Sequence, residues 1–502
     1  MASYDYVVVG AGSAGCAVAA RLSEDPGTSV LLLEAGPPDK AKEIRIPAAF
    51  SKLFKSKFDW GYETTPQPEL DGRRIFFPRG KTLGGSSALN AQMYLPGHPE
   101  DFADWPEGWS WGEVKPYFER IDKGPGTVSV PRDPNPMTRA FLEAITKSGV
   151  AEHSDLGLEH VDGAGLVRVT QRKGLRCSAA DAYLKPARGR QNLSVRTDAH
   201  VLGLELDGTR ASGVRLDGET AEASREVILC AGAIGSPQLL MLSGIGPAEE
   251  LRAHGIEATV DLPGVGRNLS DHPLAISLFD AKGKDSLYAA EKPIQLLRLL
   301  LRRRGLLTSN VGEGAAFLRT REELTAPDLE LIFGPVLYVE EGLAPPPAHG
   351  FSIASIALQP RSRGSVRLRS ADPLDSPDID PAYLSDPEDL RVLVEGTKIA
   401  KRLAREGALE PWFESERAPA DTDIEEWIRS NAHTIYHPVG TCAIGDVVDP
   451  ELRVRGTEAL RVVDASVLPH LNRGHTHAPA TMVAERAAEM IRAAAPERAA
   501  IS

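Results

Sequence analysis

The chain has 502 residues, 42% hydrophobic and 25% charged, with 46 Gly and 38 Pro, enough for a large core and roughly two or three domains. Its formal charge of −13 argues against nucleic acid as the main partner, because phosphate binding needs a cationic surface. Cys16, Cys177, Cys230 and Cys442 stand far apart without CxxC spacing, so neither a zinc motif nor a disulfide framework is suggested.

The opening MASYDYVVVG lacks the basic stretch and long apolar core of a secretory signal. No run of about 18 uninterrupted apolar residues follows it. A cytoplasmic protein is expected, at most peripheral to a membrane. Tyr4 to Val9 reads as a short buried strand, rich in β-branched residues and bounded by glycine. GAGSAG follows, with Gly10, Gly12 and Gly15 in GxGxxG spacing, then an alanine-rich helix to about Leu22, a DPGT turn and a second strand, SVLLLE, ending at Glu34. In such a βαβ unit Gly10 permits the tight turn, Gly12 lets a pyrophosphate approach the backbone, and Gly15 lets helix and strand pack closely. The helix N-terminus offers N–H groups to phosphate, and Glu34 can accept ribose hydroxyls. The pattern leaves FAD and NAD both open.

Further along, PRGKTLGGSSALNAQMYLPGHPEDFADW (78–105) has Gly80, Gly84 and Gly85, which let backbone run close to a flat ligand. EVILCA reads as an apolar strand leading into GAIGSPQLLMLSGIGP (232–247). IQLLRLLLRRRG (294–305) is apolar and then strongly basic, and is expected to be a surface helix whose arginines answer its dipole. It can touch a membrane surface, but no stable anchoring is expected. GSVRLRS alternates with period two, as a strand with one wet face does. A long helix starts with Asp386 as cap and Pro387 in its first turn. YHPVGTCAIG (436–445) and LRVVDASVLPHLNRGHTHAPATMVAERAAEMI close the chain, with Pro479 in the first turn of a last helix and Val483, Ala487, Met490 and Ile491 on one apolar stripe.

Together these blocks closely resemble the glucose–methanol–choline (GMC) oxidoreductases, and within them the choline dehydrogenase and aliphatic alcohol dehydrogenase branch, over nearly the whole chain. LLTSNVGEGAAF (306–317) and SRGSVRLRSADP (362–373) strengthen the likeness. The resemblance implies an α/β protein: a Rossmann-like FAD-binding domain, residues 1–274 with 436–502, and an α+β substrate-binding domain carrying an antiparallel sheet, residues 275–435. Parts of 40–190 are expected to pack with the substrate side. It implies FAD over Gly10, Gly12, Ser13, Ala14, Gly15, Glu34 and Ala35, bordered by Gly84 and by Asn90, Ala91, Gln92 and Met93. Val201 would meet the adenine, Asp464 and Ala465 the pyrophosphate and ribitol, and His475 and Ala478 would also touch the cofactor. Some relatives bind flavin covalently through a histidine one residue before the equivalent of Asn90. This chain has Leu89 there, so non-covalent FAD is implied.

By the same pattern the catalytic pair is His437 and His477, with His437 as base and His475 in a structural or FAD-contacting role. Histidine suits alcohol oxidation because it titrates near neutrality and can take the hydroxyl proton while hydride leaves the same carbon. A second polar group would hold the alcohol oxygen. Glu313 resembles a pocket glutamate of choline-oxidising relatives and is expected to face substrate. No metal site is expected, since His470, His475 and His477 have no acidic or cysteine ligand beside them. The implied activity is oxidation of a primary alcohol, with oxygen or a quinone-like carrier as electron acceptor. The alternative is a lyase or light-driven enzyme of the same fold, with no net alcohol oxidation.

Overall fold

The computed structural model describes residues 3–124 and 127–494, so residues 1–2, 125–126 and 495–502 of the expected nucleotide domain lie outside it. Among the described residues the two large sheets have seven and eight strands. The first is built on Ser3–Val9, which pairs in parallel with Val30–Leu33 on one side and Thr220–Leu229 on the other. Leu193–Arg196 and Leu460–Val462 extend it in parallel, and Arg210–Arg215 with Gly203–Asp207 form an antiparallel edge. Continuous apolar runs such as Val7–Val9 and Leu31–Leu33 fit a sheet covered on both faces. Val7, Val8 and Leu32 are fully buried, and each such side chain contributes about 1.5–3 kcal/mol.

Helix Ser13–Leu22 covers one face and is packed by the last helix, His477–Ala494. Their contact is dense because small residues line the first, and it is pinned by buried Glu485, which accepts from Arg21 (2.9 Å) and Arg120 (3.2 Å). The stripe Val483, Ala487 and Ile491 is buried here as its spacing predicts, with Met490 packed at its margin.

The second sheet is mainly antiparallel. Pro273–Ala281 pairs with Gly350–Ala357, and the order continues through Leu329–Gly334 and Gly314–Leu318. Gly163–Val167 and Glu152–Leu156 complete that edge, so residues from the first third of the chain join this sheet. Helix Pro387–Arg405 crosses its back. Asp386 caps it by accepting from Glu388 N (2.9 Å). Gly396 sits at the closest approach, where a Cβ would come within 2.7 Å of Leu329 and Ser355 side-chain atoms. The alternating GSVRLRS segment pairs Ser365–Arg367 with Asp378–Asp380, a small ribbon outside the large sheets. No helix among the described residues is long and apolar enough to cross a membrane.

Candidate active site

A cavity of about 370 Å³ runs between the two sheets. Its floor is the first βαβ unit. Gly10 has φ +96°, and a Cβ there would lie 2.6 Å from Cys230 O. At Gly15 a Cβ would stand 1.9 Å from Gly10 O, so only glycine lets this helix rise so close to its strand. Gly12 faces open space instead, and a Cβ there would meet no protein atom within 4 Å. Glu34 lies beside it, accepting from Ala11 N (3.0 Å) and Gly36 N (2.9 Å), and burial pushes its carboxyl up to about 7.

Gly10, Gly12, Ser13, Ala14, Glu34, Ala35, Asn90, Ala91, Gln92, Met93, Val201, Asp464 and Ala465 all line this cavity, as do His437, His475 and His477. Four expected residues do not. Gly15 packs behind the loop, Gly84 (φ +91°) turns the chain so that Gly85 faces the cavity, and Ala478 is buried in the helix–sheet interior. The fourth is Glu313. Its carboxylate points away from the cavity and accepts from Asn135 N (2.7 Å) and Thr138 Oγ1 (2.7 Å) at the start of helix Pro136–Lys147. A carboxylate at a helix N-terminus is well satisfied there, and the substrate-facing role expected for Glu313 is not supported by this placement.

Asp464 also works on the scaffold. It accepts from Gly232 N (2.8 Å), Ser236 Oγ (2.5 Å) and Ser466 N (2.8 Å), joining the start of helix Gly232–Leu242 to the turn that carries Ala465.

The far end of the cavity holds the imidazoles, and the fold pairs them differently from the expectation. His437 lies against His475, ring centroids 4.5 Å apart at 64°. His477 Nδ1 instead meets Ser13 Oγ at 2.8 Å, back at the dinucleotide loop. The reason is local. The chain is already turning at this point, with Ala478 N donating to His475 O and Ala480 N to Thr476 O. At roughly 100° per residue, side chains two apart diverge rather than share a face. Gly474 adds to this: a Cβ there would be 2.4 Å from Leu95 O, so the close approach that lets His475 N donate to Leu95 O (2.8 Å) needs glycine.

His437 is held from several sides. Its backbone N donates to Asp271 Oδ1 (2.6 Å), and Asp271 Oδ2 also takes short hydrogen bonds from Tyr383 OH and Thr434 Oγ1. Arg79 donates to Tyr436 O (2.6 Å), and Tyr436 itself has φ +69°. Gln92 and Val311, also on the cavity wall, have φ +61° and +73°. Left-handed conformations at non-glycine residues are costly, and such strain clusters at functional sites.

The His437 ring makes one more contact, which no motif in the sequence signals. Its Nδ1 lies 3.0 Å from Nδ1 of His272, whose Nε2 lies 3.0 Å from Leu358 O. A carbonyl only accepts, so His272 must carry its proton on Nε2, and its Nδ1 is then an acceptor. His437 therefore donates from Nδ1, and its Nε2 keeps the lone pair. On the other side His475 Nε2 stands 3.3 Å from both carboxylate oxygens of buried Glu330. Burial, then His475 and His272, hold His437 well below the ordinary imidazole value. Burial lowers His272 to about 3 and His477 to about 4. His470 belongs to a different place: its Nε2 meets Asp101 O at 2.8 Å.

Comparison with known proteins agrees with this architecture. The family models for GMC oxidoreductase match residues 4–274 and 360–484. An uncharacterized GMC-type oxidoreductase of Mycobacterium tuberculosis is 48% identical over 97% of this chain and 99% of its own. The alcohol dehydrogenase [acceptor] of Pseudomonas putida is 41% identical over 97% and 95%. Among solved structures, pyridoxine 4-oxidase from Mesorbium loti superposes with a TM-score of 0.89 at 34% identity, covering 98% of this chain and 100% of that one. Formate oxidase of Aspergillus oryzae reaches 0.91 at 29%, covering 98% of each. The chain belongs to the GMC oxidoreductases, FAD-dependent enzymes that act on CH–OH donors.

The residues present fit FAD. The cavity is continuous from the glycine loop to the imidazoles. The open space over Gly12 is where a phosphate would approach, and buried Gln92 Oε1 on the wall has no partner among the described residues, an acceptor whose burial is costly unless a ligand donor meets it.

Proposed function

We propose that this protein oxidises a primary alcohol to its aldehyde, with His437 Nε2 taking the hydroxyl proton. The carrying observation is the Leu358–His272–His437 chain of hydrogen bonds, which leaves that nitrogen unprotonated on the cavity wall. The Nδ1 proton stays on its bond to His272 whether or not Nε2 is loaded, so His437 can accept a proton without rearranging. Its lowered affinity keeps it neutral, and thus ready, across the neutral range. FAD, when bound, supplies the hydride acceptor, held without a covalent link because Leu89 has no nucleophile.

His475 is the partner of His437 in this reading. It stands 4.5 Å away by ring centroids, and Glu330 orients it from behind. Placed so, it can hold the alcohol oxygen while negative charge develops there. His477 serves the cofactor end, through Ser13. The substrate side of the cavity is apolar and aromatic, lined by Phe50, Phe54, Tyr338, Leu274 and Ile332, and its Glu313 carboxylate is engaged elsewhere. Such a wall suits an uncharged alcohol with an apolar body, and its aromatic faces would also receive a quaternary ammonium head group. The acceptor is oxygen or a quinone-like carrier, and comparing peroxide formation in air with anaerobic dye reduction separates them.

The test is an anaerobic titration of the flavin-loaded protein with a panel of alcohols, watched at the flavin bands. Bleaching by a primary alcohol, lost on His437→Ala, is the expected result. A flavin that stays oxidised with every alcohol supports lyase or light-driven chemistry instead.

A further inference from the structure

Among the described residues ten large hydrophobic side chains are exposed, and five of them belong to one helix. These are Ile294, Leu296, Leu297, Leu300 and Leu301 of Pro293–Arg302, exposed between 46% and 75%. The helix is anchored by its opposite face, where Gln295 and Leu299 are buried. At 100° per residue the five exposed residues cover an arc of roughly 160°, a contiguous apolar strip of the kind that soluble monomers rarely leave open.

The charge around this strip is as unusual as its apolarity. Lys292, Arg298, Arg302, Arg303 and Arg304 flank it within thirteen residues of chain, and no carboxylate among the described residues comes within ion-pairing distance of any of them. Glu291, the acid adjoining the helix, is taken by Lys52 at 2.6 Å. Five unneutralised cations on a protein of net charge −13 call for a partner that is apolar and anionic at once. A second copy of the chain is a poor candidate, since a two-fold contact would press identical cationic clusters together.

We infer that helix Pro293–Arg302 docks reversibly on an anionic lipid surface, its leucine strip seated at the acyl boundary and its basic side chains on lipid phosphates. Amphipathic helices with a basic margin bind in this way, by buried apolar area plus attraction to anionic headgroups. Its position gives the contact a use. The turn Leu306–Thr308 that follows the helix packs against Pro47–Leu53, and Phe50 of that segment lines the cavity. A bilayer held here adjoins the aromatic wall of the site.

Co-sedimentation of the flavin-loaded protein with vesicles tests this without reference to turnover. Binding is expected to vesicles of equimolar phosphatidylcholine and phosphatidylglycerol at low salt, with little to phosphatidylcholine alone and loss at high salt. Since each basic residue near an anionic surface is worth about a fivefold change in binding constant, Arg302→Gln, Arg303→Gln and Arg304→Gln together should weaken it on the order of 100-fold. Leu300→Glu with Leu301→Glu should abolish it. Both variants should keep the flavin spectrum and the turnover of a water-soluble alcohol, because Leu300, Leu301, Arg302 and Arg304 are exposed and Arg303 is only half-buried. No sedimentation of the parent protein, or equal sedimentation of the variants, overturns the inference. So does a dimer in solution that the leucine variant dissociates while vesicles bind nothing.

Discussion

His272 and His437 face one another Nδ1 to Nδ1 at 3.0 Å, from chain positions 165 residues apart. Two such nitrogens can bond only if one carries a proton and the other does not. The Leu358 carbonyl on the far side of His272 decides which. His272 is therefore a positioning residue: it fixes the tautomer of the ring proposed to take the substrate's proton.

That relationship predicts a graded response at position 272. Glutamine can still accept from His437 with its carbonyl and donate to Leu358 O with its amide, whereas phenylalanine can do neither. His272→Gln should retain flavin-reduction rates within about tenfold of the parent, and His272→Phe should lose about 10²-fold or more, within the range of general-base effects. Equal losses in both, measured by stopped-flow reduction, would mean that packing rather than proton placement is what the ring supplies.

Replacing His437 removes the proposed base itself. His437→Ala should lower the reductive rate constant about 10²–10⁴-fold while flavin remains bound. An acid limb in kcat/KM should fall below the ordinary imidazole value of 6.5 in the parent, since burial and neighbouring imidazoles depress His437. The neutral ring is the active one, so activity persists as pH falls past 6.5 and declines only at more acidic pH.

His475 and His477 should separate in their effects, although one residue stands between them. His475→Ala is expected to reduce the rate of flavin reduction by about 10²-fold with little change in flavin affinity. His477→Ala should weaken flavin retention, through its lost contact with Ser13, and leave the holoenzyme's rate closer to that of the parent. Fluorescence of released flavin on dilution reads the first quantity, single-turnover reduction the second.

Stability should carry a histidine signature. Burial lowers His433 and His477 to about 4 and His272 to about 3, against 6.5 unfolded. Between these values the unfolded chain binds protons that the folded one refuses, so these three groups lower stability as pH falls from about 6.5 towards 4, while Glu34 and Glu341, raised by burial to about 7, act in the opposite sense over the same range. By pH 5 the loss is on the order of 2 kcal/mol for each of His433 and His477. Urea midpoints of the parent and of His433→Gln measured across this range isolate the imidazole: the variant should lose less stability towards pH 4, and equal slopes would contradict the reading.

Acid precipitation should release the yellow chromophore completely into the supernatant, because Leu89 is buried against Ile44, Leu53 and Ala88 and offers no covalent attachment. Flavin retained in the washed pellet would require another attachment site.

Much of the cofactor end was legible in the residues themselves. The strand from Tyr4 to Val9, the glycine spacing after it and Glu34, like the Asp386 cap on the other sheet's helix, are read from neighbours a few positions apart, because turn geometry, close backbone approach and capping are local constraints. The histidine pair was expected from the family pattern as His437 with His477, while the turn begun at Gly474 brings His475 to His437. Glu313 was misplaced for a related reason, since a buried acid reads the same from sequence whether it faces a substrate or a helix N-terminus.

The sequence alone therefore determined the βαβ cradle and the family, both of which depend on residue type and short spacing. Only the tertiary structure decided which rings meet, that His272, Glu330 and Asp271 serve them, and that a leucine strip is left uncovered. Those relations join strands and turns far apart in the chain, and such contacts follow from packing of the whole molecule rather than from any segment's own pattern.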